Sequence, residues 1–250
     1  VQTCALPILQ RLREQTFLIQ RLIILNTEQS LWEEADRRYA ISERLKELPF
    51  SYTLLHVTKE DFDHGGTRNL GARESDAEFL IFMTQDAVPA DPFLVERLIE
   101  PLQLSGDEGK TAAVAYARQL PAKDCGIIER YTREFNYPAK SCLKGREDIP
   151  TLGIKTFFCS DVCAAYRREL FFSLGGFEEP VIFNEDMFFA AHAVGEGFYV
   201  AYAEGAQVIH SHNYSVMQQF HRNFDLAVSQ TAHPEIFEQI SSEAEGMKQI

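Results

Sequence analysis

Three short stretches of this chain carry side chains whose types and spacing could do chemistry. Thr84-Gln85-Asp86 follows the apolar run Glu78 to Met83, Glu185-Asp186 opens an apolar stretch after Phe183-Asn184, and His210-Ser211-His212 ends a third apolar segment. A carboxylate at the end of a buried strand can ligate Mg2+ or Mn2+ bridging two phosphates, because hard oxygen donors suit these ions. Asp86 fits that use, and equally fits a turn-forming or helix-capping Asp. Asp186 could withdraw a proton from an attacking hydroxyl, with Glu185 orienting the site. The helix macrodipole alone also favours acids in a first turn. His210 and His212 are two apart, so strand alternation puts them on one side, where either could complete a metal shell or simply pack.

Such groups work only if strands and helices bring them together. Arg21 to Asn26 holds Leu-Ile-Ile-Leu, as expected of a buried parallel strand delivering Asn26 at its end. Trp32 to Leu48 reads as a helix, Tyr52 to Val57 as a strand, and Asp63-His-Gly-Gly-Thr-Arg68-Asn69 as a turn feeding a helix. Its glycines either allow close approach to a ligand or simply make the turn. It matches neither a P-loop nor a dinucleotide fingerprint. Asp91-Pro92 is read as N-cap and first residue of the next helix. Further strands are expected at Ala112 to Tyr116, Thr156 to Tyr166, Phe198 to Tyr202 and Ala206 to His210. Helices are expected at Asp124 to Phe135, up to a stop at Gly175-Gly176, from Asn184 to Val194, and from Met217 to Ser229. The polar, turn-rich Asn136 to Lys155 is expected to be a mobile connection over the site. Alternating strands and helices without an internal repeat point to one α/β layer fold.

Bulk properties narrow the partners. With 45% apolar residues among 250 the chain can bury a substantial core, and 24 basic against 37 acidic side chains give a net charge of −13 that excludes a bare nucleic-acid surface. An anionic small ligand remains compatible, since a metal ion, a local Arg and helix amino termini offset its charge. Five cysteines form neither a paired disulfide framework nor a CxxC zinc pattern, which points to a reducing compartment; Cys159 and Cys163 read as small buried side chains. No window reaches the ~18 apolar residues of a spanning helix.

In order, Leu22 to Glu28, Gly65 to Gly71, Phe82 to Pro89, Gly175 to Phe177, Phe183 to Met187 and Val208 to Ser215 resemble the family 2 glycosyltransferases of the GT-A fold, most closely bacterial rhamnosyltransferase-like members. The likeness spans about Leu9 to Ser229. It implies a Rossmann-like mixed sheet flanked by helices and lacking its first strand. Residues 9–250 then form a single domain cut at both ends; Val1 to Ile8 (VQTCALPI), which resembles a translated sequencing-adapter segment with no initiator Met before it, is expected to be a non-native leader.

The implied activity is an inverting, metal-assisted transfer of a sugar from a nucleotide-diphosphate donor to a glycan or lipid-linked acceptor, for surface polysaccharide synthesis in the bacterial cytoplasm or at the inner membrane face. By resemblance, Asp86 takes the second acid of the D-x-D element, Asp186 the base of the E-D pair, and His210, with His212 beside it, the late metal ligand. Asn26, Arg68, Asn69 and Gln85 would border the donor together with Asp86. Thr84 replaces the first D-x-D acid, and Asn26 an Asp that often reads the nucleotide. The rival readings are a sugar nucleotidyltransferase, which would want a glycine-rich loop with Lys near the amino terminus, and a noncatalytic glycan- or nucleotide-binding domain.

Overall fold

The computed structural model describes residues 5–103 and 109–237. In chain order the elements are α1 (Ala5–Arg13), β1 (Arg21–Thr27), α2 (Gln29–Tyr39), α3 (Ile41–Lys46), β2 (Ser51–Val57), α4 (His64–Arg73), β3 (Phe79–Met83) and β4 (Val88–Pro89). Next come α5 (Leu94–Gln103), β5 (Ala112–Leu120), α6 (Ile127–Asn136), β6 (Cys142–Lys144) and α7 (Ile149–Leu152). The chain continues with β7 (Cys163–Arg167), α8 (Arg168–Ser173), α9 (Glu185–Gly195), β8 (Tyr199–Ile209), α10 (Val216–Thr231) and α11 (Pro234–Phe237).

The main sheet runs β3-β7-β5-β8-β4, with β6 also paired to β8. β7 is antiparallel to both β3 and β5, and β5 is parallel to β8. β3, β5 and β8 therefore point the same way, and their carboxyl ends share one edge of the sheet with the start of β7. That edge is where open α/β sheets bind ligands. β1 and β2 form a separate parallel pair, and β3 is the edge strand of the main sheet among the described residues.

Period-two alternation explains the two cores. Val114 and Tyr116, Ala164 and Tyr166, and Val200 and Tyr202 face one side, where they meet an aromatic cluster with Phe171, Phe177 and Phe189. Their neighbours Ala115, Ala117, Cys163, Ala165, Ala201 and Ala203 face the other, and these small side chains let Leu94, Leu98 and Leu102 of α5 lie close to the sheet. Truncating a fully buried aromatic such as Phe171 to Ala would cost roughly 3–5 kcal/mol. A smaller core joins Leu9 of α1 and Trp32, Ile41 and Leu45 of α2 and α3 to the β1–β2 pair.

Several elements differ from expectation for identifiable reasons. The helix expected over Trp32 to Leu48 is broken at Ala40, which is left-handed (φ 50°), and the Asp36 carboxylate accepts from both the backbone N–H and the hydroxyl of Ser42 to hold the break. Asp91 does not cap at a Pro92 start: it accepts from the Phe93 N–H, and α5 begins at Leu94. The segment expected to be a mobile connection instead holds β6, α7 and two 3-10 turns. Its Lys144 is buried, donating to the carbonyls of Lys155 and Phe158. Only Cys163–Arg167 of the stretch read as a strand from Thr156 is one, and the two strands expected at Phe198 to His210 are the single β8 with a register shift in its pairing to β5. Gly175 and Gly176 (φ 93° and 76°) stop α8 as read, with Gly176 N–H donating back to Phe171 and Gly175 N–H to Phe172 in the Schellman pattern. Of the stretch read as a leader, Ala5 to Ile8 belongs to α1 and Ile8 is buried, while residues 1–4 lie outside the described residues, as does the terminal stretch Glu243 to Ile250.

Candidate active site

Asp86, His210 and His212 converge at the sheet edge. β3 delivers Asp86 on a tight turn and β8 delivers the histidines, so one ligating atom from each lies within 4.8 Å of the others. His210 Nε2 is 3.6 Å and His212 Nε2 3.3 Å from Asp86 Oδ2, while Thr84 donates its hydroxyl to Asp86 Oδ1 at 2.7 Å. Thr84 thus orients the Asp86 carboxylate. Burial works to raise the Asp86 pKa, but hydrogen bonds from His210 and Thr84 and the field of the two imidazoles outweigh it and hold the carboxyl below its ordinary range. His212 is pushed down from its usual value by burial and by His210.

The tautomer of His210 follows from its second contact. Gln119 Oε1 accepts from Arg133, which can only donate, so His210 Nδ1, at 2.8 Å from the same oxygen, must carry its proton. Nε2 therefore faces the Asp86 carboxylate, to which it donates when it carries a proton and beside which it offers a lone pair when it does not. A lone pair and an anion in that arrangement call for a cation between them, and a carboxylate with two imidazoles fits a divalent metal.

A second cluster surrounds Asp186. Asn184 takes a left-handed conformation (φ 70°) that turns the chain into α9, leaving Glu185 and Asp186 in its first turn. Glu185 Oε1 is 2.8 Å from Arg68 Nη1, and Arg68 Nε is 3.3 Å from Asp161 Oδ2. Asp161 Oδ1 accepts from the Tyr166 hydroxyl at 2.7 Å, and the Asp161 N–H donates to Asp186 Oδ2 at 3.0 Å. Burial first, then the charge of Glu185, raises Asp186 to about 6, against the lowering pull of the Asp161 N–H and Arg68. Asp186 nevertheless retains partial solvent access.

The segment Ser160-Asp161-Val162 ties the clusters together. Val162 O accepts from Thr84 N–H on the Asp86 turn, Ser160 Oγ accepts from the Gln119 amide that also holds His210, and Asp161 binds Asp186. Asp86 with His210 and His212, and Glu185 with Asp186, are therefore two clusters joined through one three-residue segment, and Gln85 lies exposed on the Asp86 turn.

The other expected donor contacts are placed differently. Asn26 is buried on the β1–β2 pair, its amide 3.0 Å from His56 Nδ1 and donating to Glu28 O. Arg68 is the counter-ion of the acid cluster. Asn69 is 4% exposed and clamps the loop after α8: its amide donates to Phe177 O and Glu179, and its oxygen accepts from Phe177 N–H. That replaces a donor-lining role for Asn69. Gly65 likewise serves packing, since a Cβ there would lie 1.8 Å from the Glu178 carbonyl oxygen. Sequence reasoning missed Asp161, Gln119 and Tyr166, whose roles depend on which strands are neighbours.

Comparison with known proteins gives the family and the fold. The profile of glycosyl transferase family 2 matches residues 6–175. O-antigen chain rhamnosyltransferase RfbN of Salmonella typhimurium is 38% identical over 232 residues, covering 91% of this chain and 68% of its own. WbaN of Salmonella anatum, also an O-antigen chain rhamnosyltransferase, is 40% identical over 186 residues, covering 74% and 58%. A mannosyltransferase from Pyrobaculum calidifontis, solved in complex with GDP-Man and Mn2+, superposes with a TM-score of 0.63 at 15% identity over 96% of this chain and 61% of that one. The architecture is the GT-A fold, a mixed sheet flanked by helices. The chain belongs to glycosyl transferase family 2.

Proposed function

We propose that this chain is the catalytic domain of an inverting, metal-dependent glycosyltransferase that moves rhamnose from a nucleotide-diphosphate donor onto a glycan or lipid-linked acceptor in bacterial surface-polysaccharide synthesis. The observation carrying this reading is the Ser160–Val162 segment, which hydrogen-bonds on one side to the Asp86–His210 corner and on the other to Asp186. Asp86, His210 and His212 would hold the metal, which when bound would neutralise diphosphate charge. Two imidazoles beside one carboxylate favour Mn2+ over Mg2+, which prefers oxygen ligands alone.

Asp186 acts as general base. The acceptor oxygen attacks the anomeric carbon, the bond from that carbon to the diphosphate oxygen breaks, and the acceptor proton passes to Asp186. A carboxylate raised to about 6 suits this task, being mostly ionised at pH 7 yet more basic than an ordinary Asp. Glu185 and Arg68 hold the geometry around it. Gln85 and Asn26 remain proposed donor contacts, Asn26 through its position at the end of β1.

The proposal is tested by a donor screen measuring nucleoside diphosphate release with Mg2+ or Mn2+ and with EDTA. Full activity in EDTA removes the metal roles. Association with the inner membrane face is part of the same proposal. No described helix is long and apolar enough to cross a membrane, but Val216, Met217, Phe220 and Phe224 form an exposed apolar row on α10. Sedimentation with phospholipid vesicles tests this, and a chain left wholly in the supernatant rejects it.

A further inference from the structure

Asp161 is 2% exposed, and it is linked to both members of the E-D pair, to Asp186 directly and to Glu185 through Arg68. Its backbone N–H binds the Asp186 carboxylate, and its own carboxylate holds Arg68, which in turn holds Glu185. Arg68 thus ion-pairs with Glu185 and Asp161, while the Asp186 carboxylate accepts from the backbone N–H groups of Asp161 and Met187. The Tyr166 hydroxyl adds a neutral donor that keeps Asp161 aimed at Arg68.

We propose that Asp161 is the positioning residue for the base: together with Glu185 it occupies the Arg68 charge, leaving Asp186 oriented by the backbone N–H groups of Asp161 and Met187 and, among the described residues, without an ion-pair partner of its own. This rests on the reading of Asp186 as base. The groups facing Asp186 are compatible with it. From α4 come Arg68 and His64, from its own helix Glu185, and from the loop before β7 Asp161 and Cys159. Tyr166 of β7 and Tyr137 after α6 complete them, with Arg222 of α10 lying over the Phe183 ring nearby. Arg68 is the cation among them with direct ion pairs inside the cluster, so its allocation decides how readily Asp186 ionises.

The experiment is a carboxyl 13C NMR titration of the full chain, with the Asp186 resonance assigned by its loss in Asp186→Asn. In Asp161→Asn the freed Arg68 turns to Asp186, and the Asp186 midpoint falls by roughly one unit or more, at least tenfold in proton affinity. Asp161→Glu, which keeps the charge, restores the midpoint toward the native value. In an Arg68→Gln background the Asp161→Asn fall shrinks to what the direct repulsion between the two carboxylates supplies. An unchanged midpoint in folded Asp161→Asn overturns the proposal. Should circular dichroism show that variant unfolded, the native chain carries the test: the Asp161 and Asp186 resonances must each respond over both transitions, as coupled groups do, and independent single transitions overturn the proposal. The titration uses no substrate, so its outcome is separate from the turnover of Asp186→Asn, which judges the base itself.

Discussion

Asp86 and Asp186 lie at the same end of one sheet, and their surroundings drive them apart. Asp86 gathers donors, a hydroxyl and two imidazoles, and is held below the ordinary carboxylate range. Asp186 shares its surroundings with two other acids and is raised to about 6. Two carboxylates whose environments separate their pKa values are the pattern by which one site divides ligand from base. Each environment is set by neighbours distant in sequence: Gln119 and Arg133 for the first, Asp161 and Arg68 for the second.

The strongest way to break this comparison is Asp186→Asn. If Asp186 is the base, turnover falls by roughly 10²–10⁴-fold while donor binding is kept. Transfer at the native rate would leave only a structural acid. On the metal side, Gln119→Leu removes the acceptor that fixes His210 without touching a ligand. Loss of such a partner costs about 10–100-fold in metal affinity, measurable by Mn2+ titration of the chain. Unchanged affinity would mean that the His210 tautomer is set by something other than Gln119.

Much of the placement of these residues was legible in sequence, and the part that was not has a physical reason. Asp86, Asp186 and the His pair stand at the ends of apolar runs, and alternation with helices implies that such ends share a sheet edge. The stop at Gly175-Gly176 was equally readable, because two consecutive positive φ values demand glycine there. Asp161 was not readable, because its importance comes from β7 running antiparallel between β3 and β5, which places the start of that strand among the ends of its neighbours. Asn69 misled for the same reason: a polar residue beside glycines looks like a ligand contact until its partner 108 positions away is known. The comparison predicts that Asn69→Ala leaves donor affinity alone and costs roughly 1–3 kcal/mol of stability, the penalty for stripping buried backbone groups of their partner. Denaturant unfolding checks this, and a loss of donor affinity at native stability would return Asn69 to the donor site.

The smallest effect is the one whose sign separates the two acids. Asp86 has a folded pKa below its unfolded value, so it contributes stability above the unfolded pKa that is lost as pH falls through the folded one. Asp186 is the reverse: its folded pKa of about 6 lies above the unfolded value, so the folded chain binds more protons between the two, and its contribution is lost as pH rises through 6. In metal-free protein at pH 7.5, Asp86→Asn should therefore lower the melting temperature and Asp186→Asn raise it, by roughly 2–4 °C for each kcal/mol involved. At pH 4.5 the gain from Asp186→Asn should shrink, because the native carboxyl is then already mostly protonated. The same ionisation governs the rate, so kcat/KM of the native chain should rise with pH through about 6 and level off. Melting shifts of the same sign for both substitutions would mean that the two carboxylates occupy equivalent environments, and the division of labour between them would fail with that result.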